Sequence, residues 1–144
     1  METIWLSPTG FVTGDPSLRL SYPYVSHSNT IVTCTSPDDL KWISMDLRLP
    51  QNVSIGEIIV CYQVSNKKSF ISQIRLTEMM TPDKAIVIHD DGTDLKDMSP
   101  TCYTSHVGGK VPSLDSAVTL KTQLTRLCLE LWVLKSFIQH RIVV

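Results

Sequence analysis

The sequence has no apolar run long enough to cross a bilayer, no CxxC pair and no block of like charge, and each absence removes a class of protein. The most apolar stretch, Leu127 to Leu134, is too short and is broken by Glu130, so no transmembrane segment is expected. Met1-Glu2-Thr3-Ile4-Trp5 carries an acid where a basic n-region would stand and reaches Pro8 before an apolar run develops. It does not read as a secretory signal, and a cytoplasmic address follows as the expectation. A net charge of -1 supplies no electrostatic drive towards nucleic acid or an anionic membrane, so neither is expected as a partner.

The four cysteines, Cys34, Cys61, Cys102 and Cys128, lie far apart, which signals neither a zinc site nor a dithiol redox motif. In a reducing compartment they are expected to act as small buried hydrophobes. Asn52-Val53-Ser54 fits a glycosylation sequon but is accidental without a secretory route. No G-x-S-x-G elbow, phosphate loop or H-E-x-x-H appears.

What is present is short β patterning. An apolar fraction of 42% against 19% charged residues is that of a globular chain, and 144 residues suffice for one domain with its own core. Ile55 to Val64 is rich in β-branched residues and apolar on both pleat faces over its middle, as a covered strand requires. Ser65 to Ser69 is a polar break, and Phe70 to Leu76 alternates with period two, which predicts a hairpin with the preceding strand. Thr81-Pro82-Asp83 turns the chain into a third strand, Ala85 to Ile88, giving an antiparallel meander.

Upstream, Ile4 to Leu6 and Phe11 to Thr13 suggest an edge hairpin around Ser7-Pro8-Thr9-Gly10, and Leu18 to Val25 an edge strand or a bulge because of Pro23. Thr30 to Thr35 and Leu40 to Leu49 complete seven or eight short strands before Pro100. The pattern predicts a mainly β, single-domain antiparallel β-sandwich, jelly-roll or Ig-like, over residues 1–144. Ser99 to Lys110 reads as irregular, with Gly108-Gly109 permitting positive φ.

The period then changes. Ala117, Leu120, Leu124, Leu127, Leu131, Leu134 and Ile138 recur at alternating spacings of three and four. That predicts an amphipathic C-terminal helix over 127–140, with 117–126 open between helix and a last strand (Val118, Leu120, Thr122 and Leu124 on one face). The leucine seam is expected to supply a protein-partner or homo-oligomer contact.

Three groups of side chains carry chemistry. Asp90, Asp91 and Asp94, beside Gly92, are oxygen ligands of the kind calcium takes, although their spacing is not that of an EF-hand and a solvated Asp-Gly turn is the simpler account. Cys102, His106 and His89, with Ser105, are the residue types of nucleophilic catalysis, but spacing alone does not give the required geometry. Tyr22, Tyr24 and Tyr103 are candidates for ligand stacking, against the simpler role of edge packing.

The sequence therefore favours a non-catalytic β-sandwich binding or protein-interaction module that works through its end loops (Thr81 to Asp83, His89 to Asp97, Cys102 to Lys110). The competing expectation is a small metal-assisted or thiol-dependent enzyme with its site between His89 and His106.

Overall fold

A computed structural model describes residues 2–22, 30–36, 40–49, 53–81, 83–110, 116–123, 129–134 and 139–143. The strands are β1 (Glu2–Trp5), β2 (Leu18–Ser21), β3 (Thr30–Cys34), β4 (Leu40–Leu47), β5 (Ile55–Val64), β6 (Phe70–Thr81), β7 (Lys84–Asp91), β8 (Thr101–Lys110), β9 (Ser116–Gln123), β10 (Leu129–Leu134) and β11 (Gln139–Val143). They form a β-sandwich of a seven-stranded and a four-stranded sheet.

In the larger sheet β8 lies on one edge of β5, while β11 and β10 share its other edge, β11 beside Glu57 to Ile59 and β10 beside Val60 to Val64. From there β11 leads to β1, and β10 leads to β3 and β2. The smaller sheet runs β4-β9-β6-β7. β1 with β11 and β11 with β5 are parallel, and the other pairs are antiparallel.

Period-two alternation decides which side chains meet between the sheets. β5 sends Ile58, Val60, Tyr62 and Val64 inward, and β4 sends Ile43, Met45 and Leu47 to meet them with Ile74 and Leu76 of β6 and Val118 and Leu120 of β9. Lys41 shares the inner face of β4 and stays buried because its Nζ reaches Asp15 Oδ2 at 3.3 Å.

Several expectations change. β5 and β6 do not form a hairpin, because they belong to different sheets. Asn66 Oδ1 accepts from the amides of Lys68 (2.9 Å) and Ser69 (3.0 Å), so the five-residue link turns the chain across the sandwich. The first two apolar pieces are not a hairpin either: β1 pairs with β11, whereas Val12 bridges to Ser44 of β4. Thr101 to Lys110 is not irregular but a strand, with Gly108 (φ 79°) and Gly109 (φ 76°) at its bulged end.

The C-terminal stretch departs most. Leu129–Leu134, within the predicted helix, and Gln139–Val143, which overlaps its end, are strands, and Ser116–Gln123 is the last strand of the smaller sheet. Leu120 of the expected seam is fully buried in the sandwich core. Leu124, Leu127 and Ile138 lie outside the described residues. A stretch apolar on both pleat faces, such as Leu129-Glu130-Leu131-Trp132-Val133-Leu134, satisfies a helical and a strand period alike, and pairing with β3 and β5 decides in favour of strand.

Candidate functional site

β7 and β8 are edge strands of different sheets, and their inner-facing side chains meet along the open flank of the sandwich. His89 and Asp91 lie two apart on β7, as Tyr103 and Ser105 do on β8, so each pair shares a pleat face. Ser105 Oγ donates to Asp91 Oδ2 at 2.6 Å and lies 2.7 Å from His89 Nε2. A hydroxyl has one proton to give, so the contact with His89 is donated by the imidazole. The Tyr103 hydroxyl donates to Asp91 Oδ2 (3.0 Å) and lies 3.1 Å from Thr93 Oγ1, while the Thr93 amide donates to Asp91 Oδ1 (3.0 Å).

Burial pushes the Asp91 carboxyl up, but the hydrogen bonds from Ser105, Thr93 and Tyr103 together outweigh it and hold the group below the usual carboxylate range. The same balance holds for Asp90, where burial is opposed by Arg75 and Gln73 and by the charge of His89. Arg75 Nη2 reaches Asp90 Oδ2 at 3.0 Å, Gln73 Nε2 donates to Asp90 Oδ1, and the guanidinium stacks 4.8 Å from the Trp42 ring centre.

Beyond Asp91 the chain is fastened to both sheets. Leu95 is buried and exchanges backbone hydrogen bonds with Ile71 of the smaller sheet (2.8 and 3.1 Å). Two residues on, Asp97 accepts from the Val64 amide (3.0 Å) and from the Tyr62 hydroxyl (2.9 Å), and Met98 accepts from Gln63 Nε2 (2.8 Å), all in the larger sheet. Thr93, Asp94, Lys96 and Met98 remain exposed on this anchored segment.

The three aspartates considered for calcium turn to different partners: Asp90 to Arg75 and Gln73, Asp91 to Ser105 and Tyr103, and Asp94 to Lys96 (2.8 Å). Among the described residues no three His, Cys, Asp or Glu side chains gather to hold a metal ion. Cys102 is joined to Cys61 of β5 by a disulfide, which corrects the expectation that both are small buried hydrophobes. Cys34 does fit that role, being buried with a free thiol, and Cys128 lies outside the described residues.

His106 shares the outward face of β8 with Cys102 and has its Nδ1 3.3 Å from Glu57 Oε1. Cys102 and His106 therefore point away from His89 and Ser105. A hydrolytic serine must give its proton to an imidazole and be open to substrate; Ser105 gives its proton to a carboxylate and is fully buried. The cluster is wired as a structural tie. Of the tyrosines, Tyr22 is exposed and donates to Phe11 O (3.0 Å), Tyr103 belongs to the cluster, and Tyr24 lies outside the described residues.

The irregular look of Ser99 to Lys110 in the sequence hides Ser105 and Tyr103 as partners of Asp91. Once that stretch is a strand, the i, i+2 spacing on each side is the signal.

No family model matches the chain, and no protein of curated function is similar to it in sequence. Among solved structures, the TmCBM61 module in complex with β-1,4-galactotriose superposes with a TM-score of 0.48 at 10% identity, over 87% of each chain. Among the described residues, no helix is long and apolar enough to cross a membrane.

Proposed function

We propose that this chain is a non-catalytic binding module that recognises a partner protein through the segment Thr93 to Met98 between β7 and β8. The observation that carries the reading is the fastening of this segment to both sheets, through Leu95 to Ile71 and through Asp97 to Tyr62 and Val64. A loop held in one conformation before binding loses little entropy on association. Its exposed side chains, two acids, a base, a hydroxyl and a methionine, are the mixture of polar and adaptable apolar groups that protein surfaces recognise.

The segment overlaps the His89 to Asp97 end loop expected from the sequence, while Leu120 of the expected leucine seam is buried in the core. The Cys61–Cys102 bond favours an oxidising compartment over the cytoplasmic one expected from the N-terminus.

Photo-crosslinking tests the assignment. A benzophenone side chain at position 98 is expected to capture one partner protein from an extract of the source cells, whereas the same group at exposed Thr35 captures none. Lys96→Glu is expected to abolish the capture. Equal capture from both positions, or capture indifferent to Lys96→Glu, would sink the proposal.

A further inference from the structure

The Cys61–Cys102 bond stands at the end of a ladder. β8 pairs with β5 from Ile55 opposite Lys110 to Tyr62 opposite Thr101, so the two cysteines form the last pair but one before the chain leaves the sheet. The segment that precedes β8 is fastened to the three residues that follow Cys61. The Tyr62 hydroxyl donates to Asp97 Oδ2 (2.9 Å), the Val64 amide to Asp97 O (3.0 Å) and Gln63 Nε2 to Met98 O (2.8 Å). One crosslink therefore holds the corner at which β5, β8 and the Thr93 to Met98 segment meet.

The same position makes the bond accessible. β8 is an edge strand that pairs with β5 alone, and Cys102 is exposed on its outward face, whereas Cys61 is half-buried. Thiol–disulfide exchange proceeds in line with the bond that breaks, so a thiolate attacking Cys102 Sγ comes from the side opposite Cys61, which is the open edge of the sheet. Exposed disulfides are the ones that exchange with external thiols. The remainder of β8 does not depend on the crosslink: its ladder continues from Tyr103 to Lys110, and Ser105 and Tyr103 hold Asp91 from the inner face.

We propose that this disulfide is a redox switch for the Thr93 to Met98 segment, which is held ready for its partner in the oxidised protein and loosened when a thiol reductant opens the bond. The inference rests on the reading of that segment as the recognition site. The reductant thiolate bonds to Cys102 Sγ, the Cys61–Cys102 bond breaks, and its electron pair leaves on Cys61, which takes a proton from solvent. A second reductant thiolate attacks the reductant sulfur of the mixed disulfide and releases Cys102 as a thiolate, which is protonated in turn. Two reductant thiols are thereby oxidised to their disulfide, and two protein thiols are formed. Without the crosslink the end of the ladder at Tyr62 and Thr101 frays, and the contacts of Asp97 and Met98 with β5 open more often. The segment must then be ordered at the moment of binding, which weakens recognition.

The test compares the full chain before and after treatment with reduced glutathione in the absence of denaturant. Peptide mapping is expected to find newly alkylatable thiols at Cys61 and Cys102. Amide hydrogen exchange should then quicken about ten-fold at Val64 and Asp97, which report the fastening to the larger sheet, while the Leu95 amide, held by Ile71 of the smaller sheet, keeps its rate. Capture by the benzophenone at position 98 should fall about five-fold or more. Cys61→Ala/Cys102→Ala should exchange at the fast rates with or without glutathione. A bond that resists glutathione would overturn the proposal, as would unchanged exchange at Val64 and Asp97 in the reduced chain. Loss of protection throughout both sheets on reduction would make the bond a staple of the whole fold and overturn it too. Undiminished capture by the reduced chain would overturn the switch and leave the recognition reading standing. Absence of capture in either state would overturn that reading instead, with redox control of the loop still judged by its exchange rates.

Discussion

Ser105 Oγ lies 2.6 Å from Asp91 Oδ2, and the two residues belong to edge strands of different sheets. The bond therefore ties one layer of the sandwich to the other on a flank where no backbone ladder crosses between β7 and β8. Ser105→Ala removes that tie and leaves a partly buried carboxylate short of a donor. Urea denaturation is expected to show a loss of about 1–3 kcal/mol. Thr104→Ala, one residue away on the opposite pleat face, should leave stability nearly unchanged. Equal effects from the two variants would show that the tie contributes nothing.

The same cluster sets an acid limb. Asp91 and Asp90 both titrate below the usual carboxylate range in the folded protein, so the unfolded chain binds more protons in that window. Their stabilising contribution is complete above the ordinary carboxylate value of 3.8 and is lost as pH falls through the lower folded values. Asp91→Asn is expected to flatten the stability profile below 3.8, where the unfolded carboxylate takes up a proton before the folded one does. A slope identical to wild type in the acid limb would refute the assignment.

The disulfide between β5 and β8 closes a loop with a sequence separation of 41 residues. In the chain-entropy description a crosslink of that span stabilises by roughly 4 kcal/mol, with measured values commonly nearer 2–4. Cys61→Ala/Cys102→Ala is expected to lower the melting temperature in buffer and to melt identically with and without dithiothreitol. Wild type should fall to the level of the variant when reduced. Two alkylatable thiols at these positions in the native, unreduced protein would exclude the bond.

Strands were legible in the sequence wherever one pleat face was apolar and the other polar, as in Leu40 to Leu49, where Ile43, Met45 and Leu47 are indeed the buried face. What period two does not carry is which strand lies beside which. β5 and β6 read as a hairpin because their link is short, yet a five-residue link serves equally to cross between sheets, and only the partners β8, β10 and β11 decide. The helix expected over 127–140 gives way for a related reason: the leucines at spacings of three and four lie in a stretch with apolar residues on both pleat faces, and such a stretch satisfies either period. For the site, the His89 to Asp97 stretch was legible as the densest polar constellation, but its wiring to β8 was not, since Tyr103 and Ser105 fall in a segment that lacks apolar alternation.

Leu120 separates the two readings of the C-terminal third. As a seam residue it would be exposed in a monomer, and its truncation would weaken association. In the structure it is fully buried in the core, on β9 between β4 and β6. Leu120→Ala is expected to cost about 2–5 kcal/mol of folding stability. The loss should be the same at every protein concentration, as measured by urea denaturation over a wide dilution range. A loss that vanishes at high concentration would restore the seam.

Tyr62 carries the alkaline counterpart of the aspartate argument. Burial, more than any other influence, drives its phenol up to about 12, and the hydroxyl donates to Asp97 Oδ2 at 2.9 Å. A folded value above the unfolded value of 10.0 means that the native state holds the proton more tightly. The associated stability is complete below that unfolded value and disappears as pH rises through the folded one. Ultraviolet titration should therefore show one tyrosine ionising late, together with loss of native structure. Tyr62→Phe is expected to delete the late step while shortening the alkaline limb, and to free the Asp97 end of the anchored loop, so that the amides of Thr93 to Asp97 exchange faster with solvent than in wild type. If Tyr62→Phe left those exchange rates untouched, the fastening of the loop to the larger sheet, and with it the argument for a preorganised recognition segment, would fail.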